Sequence, residues 1–514
     1  MSRCRRLLSL PLALLLAAAM AVPATAAPND RRTLERYAAD TWRSFVAMVV
    51  PDTGLPADNI HGSLRASTRS GYTSPTNIGM YLWATLAARD LGFISASEAV
   101  DRISLTLSSV EGLERHEPSG QFFNWYSPQT GELLTEWPEP PHNPVIPFAS
   151  SVDNGWLASA LLMVANGVPE LHDRAWALAT SMNFGCYYDP NAKAGGLIRG
   201  GFWLTPQGGS VEGDLCGMGE TVQYTGHHYG AFNAEPRIAS YIGIALGQIP
   251  PEHYFGGWRT FPDTCDWSWA ETRPIGEWRT YLGVDVFEGA YPFEDKLIVP
   301  TWGGSMFEAF MPALVVPEEQ WGPTSWGVTH PLYVEAEIEY GLELSGYGYW
   351  GFSPASNPAG GYREYGIDAL GMDTSLGYTT DVEHLTLSDA GWDDPADQCD
   401  RPPDPIEDYG QGVVTPHAAF LALDFAPEAT MENLRNLADD FDGMYGRGGF
   451  KDSVNVATGQ VANRYLALDQ GMVIAAIANE LTDDALQSYL AVTLQPALAP
   501  LMAIEEFGAG RIAP

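Results

Sequence analysis

The chain has 514 residues, of which 64 are acidic and 27 are Lys or Arg, so its formal net charge is −37. Such a charge argues against nucleic acid or an anionic membrane as a partner, because both are themselves negatively charged. The hydrophobic fraction of 45% argues against general disorder, and the length allows one large core or two to three domains.

The N-terminal segment predicts export from the cell. Arginines come first, an apolar run follows and small residues end the segment, which is the pattern of a signal peptide cleaved near Ala26 or Ala27. No later stretch has about eighteen apolar residues in a row, so no membrane span is expected. We therefore expect residues 1–27 to be removed and residues 28–514 to form a single secreted domain, extracellular or periplasmic.

Four cysteines remain after the signal peptide, and an oxidising compartment favours their pairing in two disulfides. The sequence leaves all three pairings open for Cys186, Cys216, Cys265 and Cys399. Their spacing matches no zinc motif, and no metal or other cofactor is expected.

Apolar residues at helical spacing recur along the whole mature chain. The predicted helices are Arg32–Val49, Thr76–Asp90, Ser95–Ser109, Asp153–Ala165, Leu171–Met182, Pro236–Leu246, Ser305–Leu314, Leu332–Leu344, Pro416–Leu423, Ala429–Asp440, Asp469–Leu481 and Asp484–Leu498. The best candidate for a strand hairpin is Gly196–Leu204, and the acidic stretch Ser388–Gly412 is predicted to be one surface loop. About twelve helices joined by long loops predict an all-α fold, an (α/α)6 toroid whose loops form a cleft at one end.

The chain is rich in aromatic residues, with 16 Trp and 23 Tyr, and many of them lie beside Gly, Pro or Asn in predicted loops. Aromatic rings on loops are typical of stacking platforms for sugar faces, and the alternative is that they anchor the loops to the core. The candidates for stacking are Trp125, Tyr126, Trp302, Tyr347 and Trp350. A neutral polysaccharide or oligosaccharide is the partner that this composition favours.

The stretch HHYGAFNAEPRIASYIGIALG places charges at the start of a helix that otherwise has none. Pro236 suits the first helical position, where its missing N–H would have no partner. A buried helix needs no ion pair at its entrance. We therefore interpret these charges, together with two histidines and a tyrosine, as the rim of a site: Glu235, Arg237, His227, His228 and Tyr229. The alternative is a structural helix cap in which Glu235 pairs with Arg237.

Several stretches in order resemble one family: TSPTNIGMYLWATLAARDLGFIS, FFNWYSPQTGEL, SSVDNGWLASALLMV, HHYGAFNAEPRIASYIGIALG, TWGGSMFEAFMP, VVTPHAAFLALDFAPE and MYGRGGFKDSVNVATGQVANRYLALDQGMVIAAIANEL. They resemble the glucoamylase-like domain of the β-1,2-glucanase group. That group includes glycoside hydrolase family 144 and the hydrolase-like domain of cyclic β-1,2-glucan synthases. The resemblance implies an (α/α)6 toroid that cleaves linear β-1,2-glucan without a metal. It also implies that Glu235 is the general acid and that Asp153 is catalytic or contacts the sugar in the −1 subsite.

Glycoside hydrolysis generally requires two carboxyl groups, of which one protonates the leaving oxygen and the other activates water or attacks carbon. Asp153 begins an apolar helix and has helix capping as its alternative role. Glu308 interrupts an apolar stripe, so it needs either a ligand or a buried partner. Asp469 has capping as its default role, and Asn77 completes the predicted substrate-binding residues.

The sequence predicts a secreted, monomeric glycoside hydrolase that uses general acid/base catalysis, and the resemblance implies that it is an endo-β-1,2-glucanase that inverts configuration. The alternatives are a glycosidase or transglycosylase acting on another linkage, and a carbohydrate-binding protein without activity. A polysaccharide lyase is disfavoured, because lyases need basic residues to neutralise a uronate and acidic residues predominate here.

Overall fold

The computed structural model describes residues 28–262, 273–372 and 412–512. This part of the chain contains 13 α-helices. They are α1 (Pro28–Met48), α2 (Pro75–Asp90), α3 (Ala96–Gly112), α4 (Ser151–Gly167), α5 (His172–Ser181), α6 (Arg237–Ala245), α7 (Met306–Phe310), α8 (Glu318–Trp321), α9 (Trp326–Glu339), α10 (Pro416–Leu421), α11 (Pro427–Asp440), α12 (Ala467–Thr482) and α13 (Ala485–Met502). The helices predicted from the apolar periodicity are thus present, with shifted ends.

Helices α2, α4 and α12 are apolar on every side and are buried over most of their length. A helix without a polar face needs neighbours all round, and these helices pack against one another in the order α12, α2, α4 and α6. Helix α10 continues the row from α12 and contacts α7. Helices α1, α3, α5 and α11 each pack against at least one helix of this row.

Two glycines set the close approach of the inner helices. A Cβ at Gly79 of α2 would lie 2.8 Å from the carbonyl oxygen of Trp156 in α4. A Cβ at Gly155 of α4 would lie 3.1 Å from Ala239 in α6. Because backbone cannot yield as a side-chain tip can, a larger residue at Gly79 would force α2 and α4 apart.

Short strands fill the loops between the helices. They are β1 (Asn59–His61), β2 (Arg115–His116), β3 (Gln121–Phe122), β4 (Phe148–Ser150), β5 (Tyr188–Asp189), β6 (Leu197–Arg199), β7 (Gly201–Trp203), β8 (Val211–Asp214), β9 (Thr221–Tyr224), β10 (His228–Tyr229), β11 (Ile275–Tyr281), β12 (Val284–Phe293), β13 (Lys296–Ile298), β14 (Ala355–Ser356), β15 (Tyr362–Arg363), β16 (Val413–Val414), β17 (Tyr445–Gly446), β18 (Gly449–Phe450), β19 (Val454–Asn455), β20 (Gln460–Val461), β21 (Arg464–Leu466) and β22 (Gly510–Arg511). The helical part of the prediction is confirmed. The all-α toroid is not confirmed, because the described residues hold many strands.

The two largest sheets have four strands each, in the orders β4-β7-β9-β8 and β11-β12-β13-β22. The stretch Gly196–Leu204 does form strands, but it is not a hairpin. Strand β6 pairs with β5 and β10, whereas β7 pairs with β4 and β9. The chain changes sheet at Gly200, whose carbonyl accepts a hydrogen bond of 3.0 Å from the backbone N–H of Ser151.

Two strand pairs hold the first turns of inner helices in place. Strand β4 leads directly into α4, and its residue Ser150 caps that helix by accepting a hydrogen bond from the backbone N–H of Asp153 at 3.2 Å. Strand β1 pairs antiparallel with β21, and the residue after β21, Ala467, donates its backbone N–H to the carbonyl of Asp58 at 2.7 Å. Asp58 is therefore fixed beside the start of α12.

The described residues contain one disulfide, Cys186–Cys216. It joins a turn before β5 to the loop between β8 and β9. Two other cysteines of residues 28–514, Cys265 and Cys399, lie outside the described residues, as does the predicted acidic loop up to residue 411. Across residues 28–262, 273–372 and 412–512, no helix is both long enough and apolar enough to span a bilayer.

A buried ionic cluster ties β12 to the C-terminal segment. Arg259 bonds Glu505, with its Nε 2.8 Å from Glu505 Oε1, and lies 3.9 Å from Glu288. All three side chains are fully buried. Burial raises the pKa of Glu288 to about 8; the charge of Glu505 raises it further and that of Arg259 opposes the shift.

We predict that Glu288→Gln makes the melting temperature less dependent on pH. A carboxyl whose folded pKa exceeds its unfolded value stabilises the fold at low pH and loses that contribution as the pH rises from about 5 to 8. Gln has a similar shape and no charge, so Tm should rise at pH 8 and change little at pH 5. The exposed Glu343→Gln is the control, and parallel curves for wild type and Glu288→Gln would contradict the prediction.

Candidate functional site

The residue before Pro236 lies where three inner helices meet. Glu235 accepts a hydrogen bond of 2.9 Å from Trp156 Nε1 in the first half of α4. Its own backbone N–H donates to Glu308 Oε2 of α7 at 2.6 Å. The carboxyl of Glu235 is thus held by one neutral donor, and its main chain is held by a second carboxyl group.

Burial raises the pKa of Glu235 to about 8. The hydrogen bond from Trp156 opposes this shift, the charges of Asp153 and Glu364 add to it, and Arg237 opposes it. Glu235 therefore keeps its proton at neutral pH. The pKa of Glu308 is also raised well above its ordinary value, first by burial and then by the charge of Glu235. Glu235 and Glu308 belong to the first of two acidic groups in the site.

Arg237 does not line the site as the sequence predicted. It is 5% exposed, and its Nε and Nη2 donate to the two oxygens of Glu318 at 2.7 and 2.9 Å. Its remaining bonds go to backbone carbonyls, including that of Glu308 at 2.7 Å. Arg237 is a buried structural residue, because every nitrogen of its guanidinium already has a protein acceptor.

Asp153 lies in the first turn of α4, next to the first turn of α2. Its Oδ1 accepts a hydrogen bond from Thr76 Oγ1 at 2.7 Å, and its Oδ2 accepts one from Asn124 Nδ2 at 2.9 Å. The carboxyl is half-buried, and its charge reaches Glu235. The structure therefore brings together Asp153, Glu235 and Glu308, three acids that the sequence analysis selected.

A second acidic group lies at the start of α12. It contains Asp58, Asp452 and Asp469, and each of these acids influences the pKa of another. Asn77 Nδ2 donates to Asp58 Oδ2 at 3.0 Å, and the backbone N–H of Ser356 donates to Asp452 Oδ2 at 2.8 Å. Sequence analysis found Asp469 and Asn77 but missed Asp58 and Asp452. Asp452 could have been found from the sequence, because it lies in GGFKDSVN, inside one of the stretches that resemble the family.

Asp469 is 2% exposed, and as a carboxylate neither of its oxygens has a hydrogen-bond donor. Burial raises its pKa well above the ordinary value, and the charge of Asp452 adds to the shift. A proton on one of the two acids supplies the missing donor, so that Asp452 and Asp469 can hydrogen-bond each other. This arrangement differs from the capping role that was the default expectation for Asp469.

His417 of α10 completes a possible set of metal ligands. Ligand atoms of His417, Asp452 and Asp469 all lie within 4.8 Å of one another. However, His417 Nδ1 is 2.6 Å from Thr415 Oγ1, and its Nε2 is 2.9 Å from Ser353 Oγ. Both ring nitrogens are thus engaged by hydroxyl groups, and burial lowers the pKa of His417 to about 3. A shared proton fits this set better than a cation.

The predicted aromatic platform is only partly at the surface. Trp125 is half-buried and contacts Tyr72 and Trp137, with ring centroids 5.5 and 5.8 Å away. Trp302 is half-buried in the turn before α7. By contrast, Trp350 is 1% exposed and Tyr126 is fully buried, so neither ring can stack on a sugar.

Three further aromatic residues from the sequence analysis lie elsewhere in the loops. Strand β10 carries His228 and Tyr229, both half-buried, and His228 Nε2 lies 3.0 Å from Asp189 Oδ2. Tyr347 is half-buried, with its ring beside those of Tyr340 and Phe352. His228 on β10 therefore lies against Asp189 of β5, across the strand β6 that pairs with both.

A hairpin missed by the sequence analysis faces both acidic groups. It consists of β14, β15 and the turn between them, and it carries Tyr362 and Glu364 on or next to β15. The charge of Glu364 raises the pKa of both Glu235 and Glu308. Burial raises the pKa of Tyr362, and the charges of four acids add to the shift: Asp469, Asp452, Asp58 and Glu235. Nothing in the apolar periodicity identifies such a short hairpin, so only its position in the fold reveals it.

Comparison with known proteins yields matches along most of the chain. A glucoamylase family model matches residues 276–491, and a family of unknown function, DUF3131, matches residues 36–188. The cyclic β-(1,2)-glucan synthase NdvB of Rhizobium meliloti is 24% identical over 580 residues, which is 87% of this chain and 18% of that protein. The exo β-1,2-glucooligosaccharide sophorohydrolase of Parabacteroides distasonis is 21% identical over 472 residues, covering 90% of this chain and 56% of that protein.

Comparison with a solved structure shows that the similarity extends to the fold. The endo-β-1,2-glucanase of Chitinophaga pinensis, in complex with sophorotriose and glucose, has a TM-score of 0.60 and 17% identity, covering 93% of this chain and 98% of the other. The chain spans little more than half of one curated relative and less than a fifth of the other. Together the matches confirm the predicted resemblance to the glucoamylase-like domain of the β-1,2-glucanase group.

We predict that this protein needs no divalent cation for stability. A cation that binds only the folded state would raise Tm. We therefore expect that dialysis against a chelator leaves Tm unchanged and that added Ca²⁺, Mn²⁺ or Zn²⁺ does not raise Tm. Asp469→Asn should also keep Tm close to wild type, since its amide can donate to Asp452. A fall in Tm on chelation that is reversed by one cation and absent in Asp469→Asn would show a metal site.

Proposed function

We propose that this relative of the glucoamylase-like proteins hydrolyses a glycosidic bond of β-1,2-linked glucan, with Glu235 as the general acid. The observation that carries the proposal is a proton-bearing carboxyl in a site otherwise lined by acids, with a pKa of about 8. A general acid must hold a proton at working pH and release it in the transition state, and burial produces that condition here. The acidic surroundings suit a neutral sugar rather than an anionic one.

The proposed reaction uses Glu235 and a second carboxyl. Glu235 gives its proton to the glycosidic oxygen as the bond from that oxygen to the anomeric carbon breaks. A water molecule attacks the anomeric carbon and loses a proton to the base, for which we propose Asp153. Both oxygens of Asp153 accept hydrogen bonds from neutral side chains, which suits a carboxylate. Attack from the face opposite the leaving group inverts the configuration.

The choice of substrate rests on the relatives. Two of them are named for β-1,2-glucooligosaccharide or β-1,2-glucan, and a third is named as a cyclic β-(1,2)-glucan synthase. Incubation with glucans of different linkage, followed by product analysis, distinguishes four outcomes. They are endo action, cleavage of another linkage, transglycosylation, and sugar binding without catalysis. Export and a monomeric state belong to the same proposal, and the N-terminal sequence supports the first of them.

The substrate assay should give a clear result. We expect the wild-type protein to release reducing ends from linear β-1,2-glucan and to leave β-1,3- and β-1,4-glucans uncut. Products of several lengths would indicate endo action, and a single short product would indicate exo action. The proposal fails if β-1,2-glucan remains uncut under conditions in which another glucan is hydrolysed, or if sugar binds without any cleavage.

Glu235→Gln should lower the rate by roughly 10²–10⁴-fold, because the side chain keeps its shape but loses the proton. A glycosyl fluoride needs little protonation, so the variant should recover much of its rate on that substrate. Asp153→Asn should stay slow on both substrates if Asp153 activates the water. If Glu235→Gln lowers the rate equally on both substrates, Glu235 is not the general acid. If it lowers Tm but leaves activity normal, Glu235 is a structural helix cap.

The alkaline limb of the kcat/KM profile should lie at about pH 8 and should move in opposite directions in two variants. Trp156→Phe removes the donor that favours ionised Glu235, so the limb should move to higher pH. Glu364→Gln removes a negative charge that disfavours ionisation, so the limb should move to lower pH. Glu343→Gln is the exposed control, and limbs that stay in place in both variants would show that another group titrates.

A further inference from the structure

Tyr362 lies on a hairpin that is fixed to the acidic site. In the hairpin Ser356 pairs with Tyr362, and Ser356 also donates its backbone N–H to Asp452 Oδ2 at 2.8 Å. The turn is closed by a hydrogen bond of 2.8 Å from the backbone N–H of Asn357 to the carbonyl of Gly361. A further bond of 2.7 Å joins Gln460 Nε2 to the carbonyl of Pro358. Tyr362 is therefore held at a defined position relative to Asp452.

The side chain of Tyr362 is 51% exposed, although its surroundings are the acids of the site. Removal of water around the phenol raises its pKa well above the ordinary value, and the charges of Asp469, Asp452, Asp58 and Glu235 add to that shift. The last of these acids belongs to the first group and the others to the second. Acids of both groups are therefore close enough to act on the phenol, which is protonated at neutral pH.

The fold makes little use of this side chain. Within the described ranges, the hydroxyl of Tyr362 has no hydrogen-bond partner and its ring has no aromatic neighbour. Other tyrosines of the same region are engaged, as Tyr365 is by Asn357 Nδ2 at 2.7 Å. An exposed ring with a free hydroxyl over a group of acids is informative, because packing does not account for it.

The chemistry of a sugar explains what such a residue can supply. Ionised acids only accept hydrogen bonds, whereas each sugar hydroxyl both donates one and accepts others. A sugar whose hydroxyls donate to Asp58 or Asp452 still needs a donor for its own oxygens. Asn77 Nδ2 already donates to Asp58, and Trp156 Nε1 already donates to Glu235. Glu235 carries a proton, but the proposed reaction gives that proton to the glycosidic oxygen. A neutral phenol near the two acidic groups provides a further donor for the sugar hydroxyls.

We propose that Tyr362 contacts the substrate at the point where the two acidic groups face each other. Its ring covers one face of a glucosyl residue, and its hydroxyl donates to a hydroxyl of that residue. This assignment rests on the proposed function, since it names a specificity-determining residue for the same reaction. Tyr362 thereby selects a neutral hydroxylated ring, and an anionic sugar at this point would be repelled by the surrounding acids.

Binding of a β-1,2-linked glucooligosaccharide, measured by calorimetry in the slow Glu235→Gln background, tests the proposal. Adding Tyr362→Phe removes only the donor and should weaken binding by roughly 2–10-fold. Adding Tyr362→Ala also removes the ring and should weaken it further. Both double variants should keep the Tm of Glu235→Gln, because the ring packs against little. Tyr349→Phe is the matched control, since the hydroxyl of Tyr349 bonds Asp440 at 2.8 Å and serves the fold.

The outcomes separate this inference from the proposed function. If wild type cleaves β-1,2-glucan and the oligosaccharide binds all the variants equally, Tyr362 is not a substrate contact, and the proposed function stands. If Tyr362→Phe is normal but Tyr362→Ala weakens binding, the ring contributes and the proposed hydrogen bond is wrong. If the oligosaccharide binds none of the proteins and wild type leaves the glucan uncut, the assignment and the proposed function both fail.

Discussion

The buried ion pair between Arg237 and Glu318 decides how the site is charged. Arg237 is two residues from Glu235 in sequence, and a direct contact between them would favour an ionised Glu235. Instead, Glu318 accepts two hydrogen bonds from the guanidinium, and backbone carbonyls take the others. A bidentate pair of this kind is strong and directional. Glu235 therefore keeps one neutral donor, Trp156, and its proton stays on the carboxyl.

The remainder of the site follows from how the inner helices begin. Helix N-termini and their exposed N–H groups normally favour negative charge, so Asp153 and Asp469 occupy expected positions in first turns. Several such turns come together, and each acid then lies near others. Burial, and after it the repulsion between the acids, raises the pKa of both Glu235 and Asp469, so these two effects outweigh the helix ends. The packing of the helices thus raises the pKa of acids that lie at helix starts, where an isolated helix would favour their ionised form.

Loops between the helices divide this acidic site into two groups. Strand β4 holds the start of α4 and Asp153, whereas the pair β1–β21 places Asp58 beside α12. The hairpin β14–β15 is bonded to Asp452, places Glu364 near the first group and places Tyr362 near both groups. Helices alone would place acids at one end of the bundle. The short strands add hydrogen-bond partners that hold these acids in position. The sheets that prevent an all-α description are therefore the elements that shape the site.

The sequence by itself determined the helices, since apolar spacing indicates them wherever a helix has a face to bury. It also identified Asp153, Glu235, Glu308 and Asp469, because an acid next to an apolar helix is conspicuous. Tertiary structure alone decided their partners. Arg237 pairs with an acid 81 residues away, and Asp58 meets α12 across about 400 residues. Trp350 and Tyr362 differ in the same way: both are aromatic residues beside glycines, but one is buried and the other projects among acids. Local spacing carries no information about such contacts, because they form only when distant segments pack together.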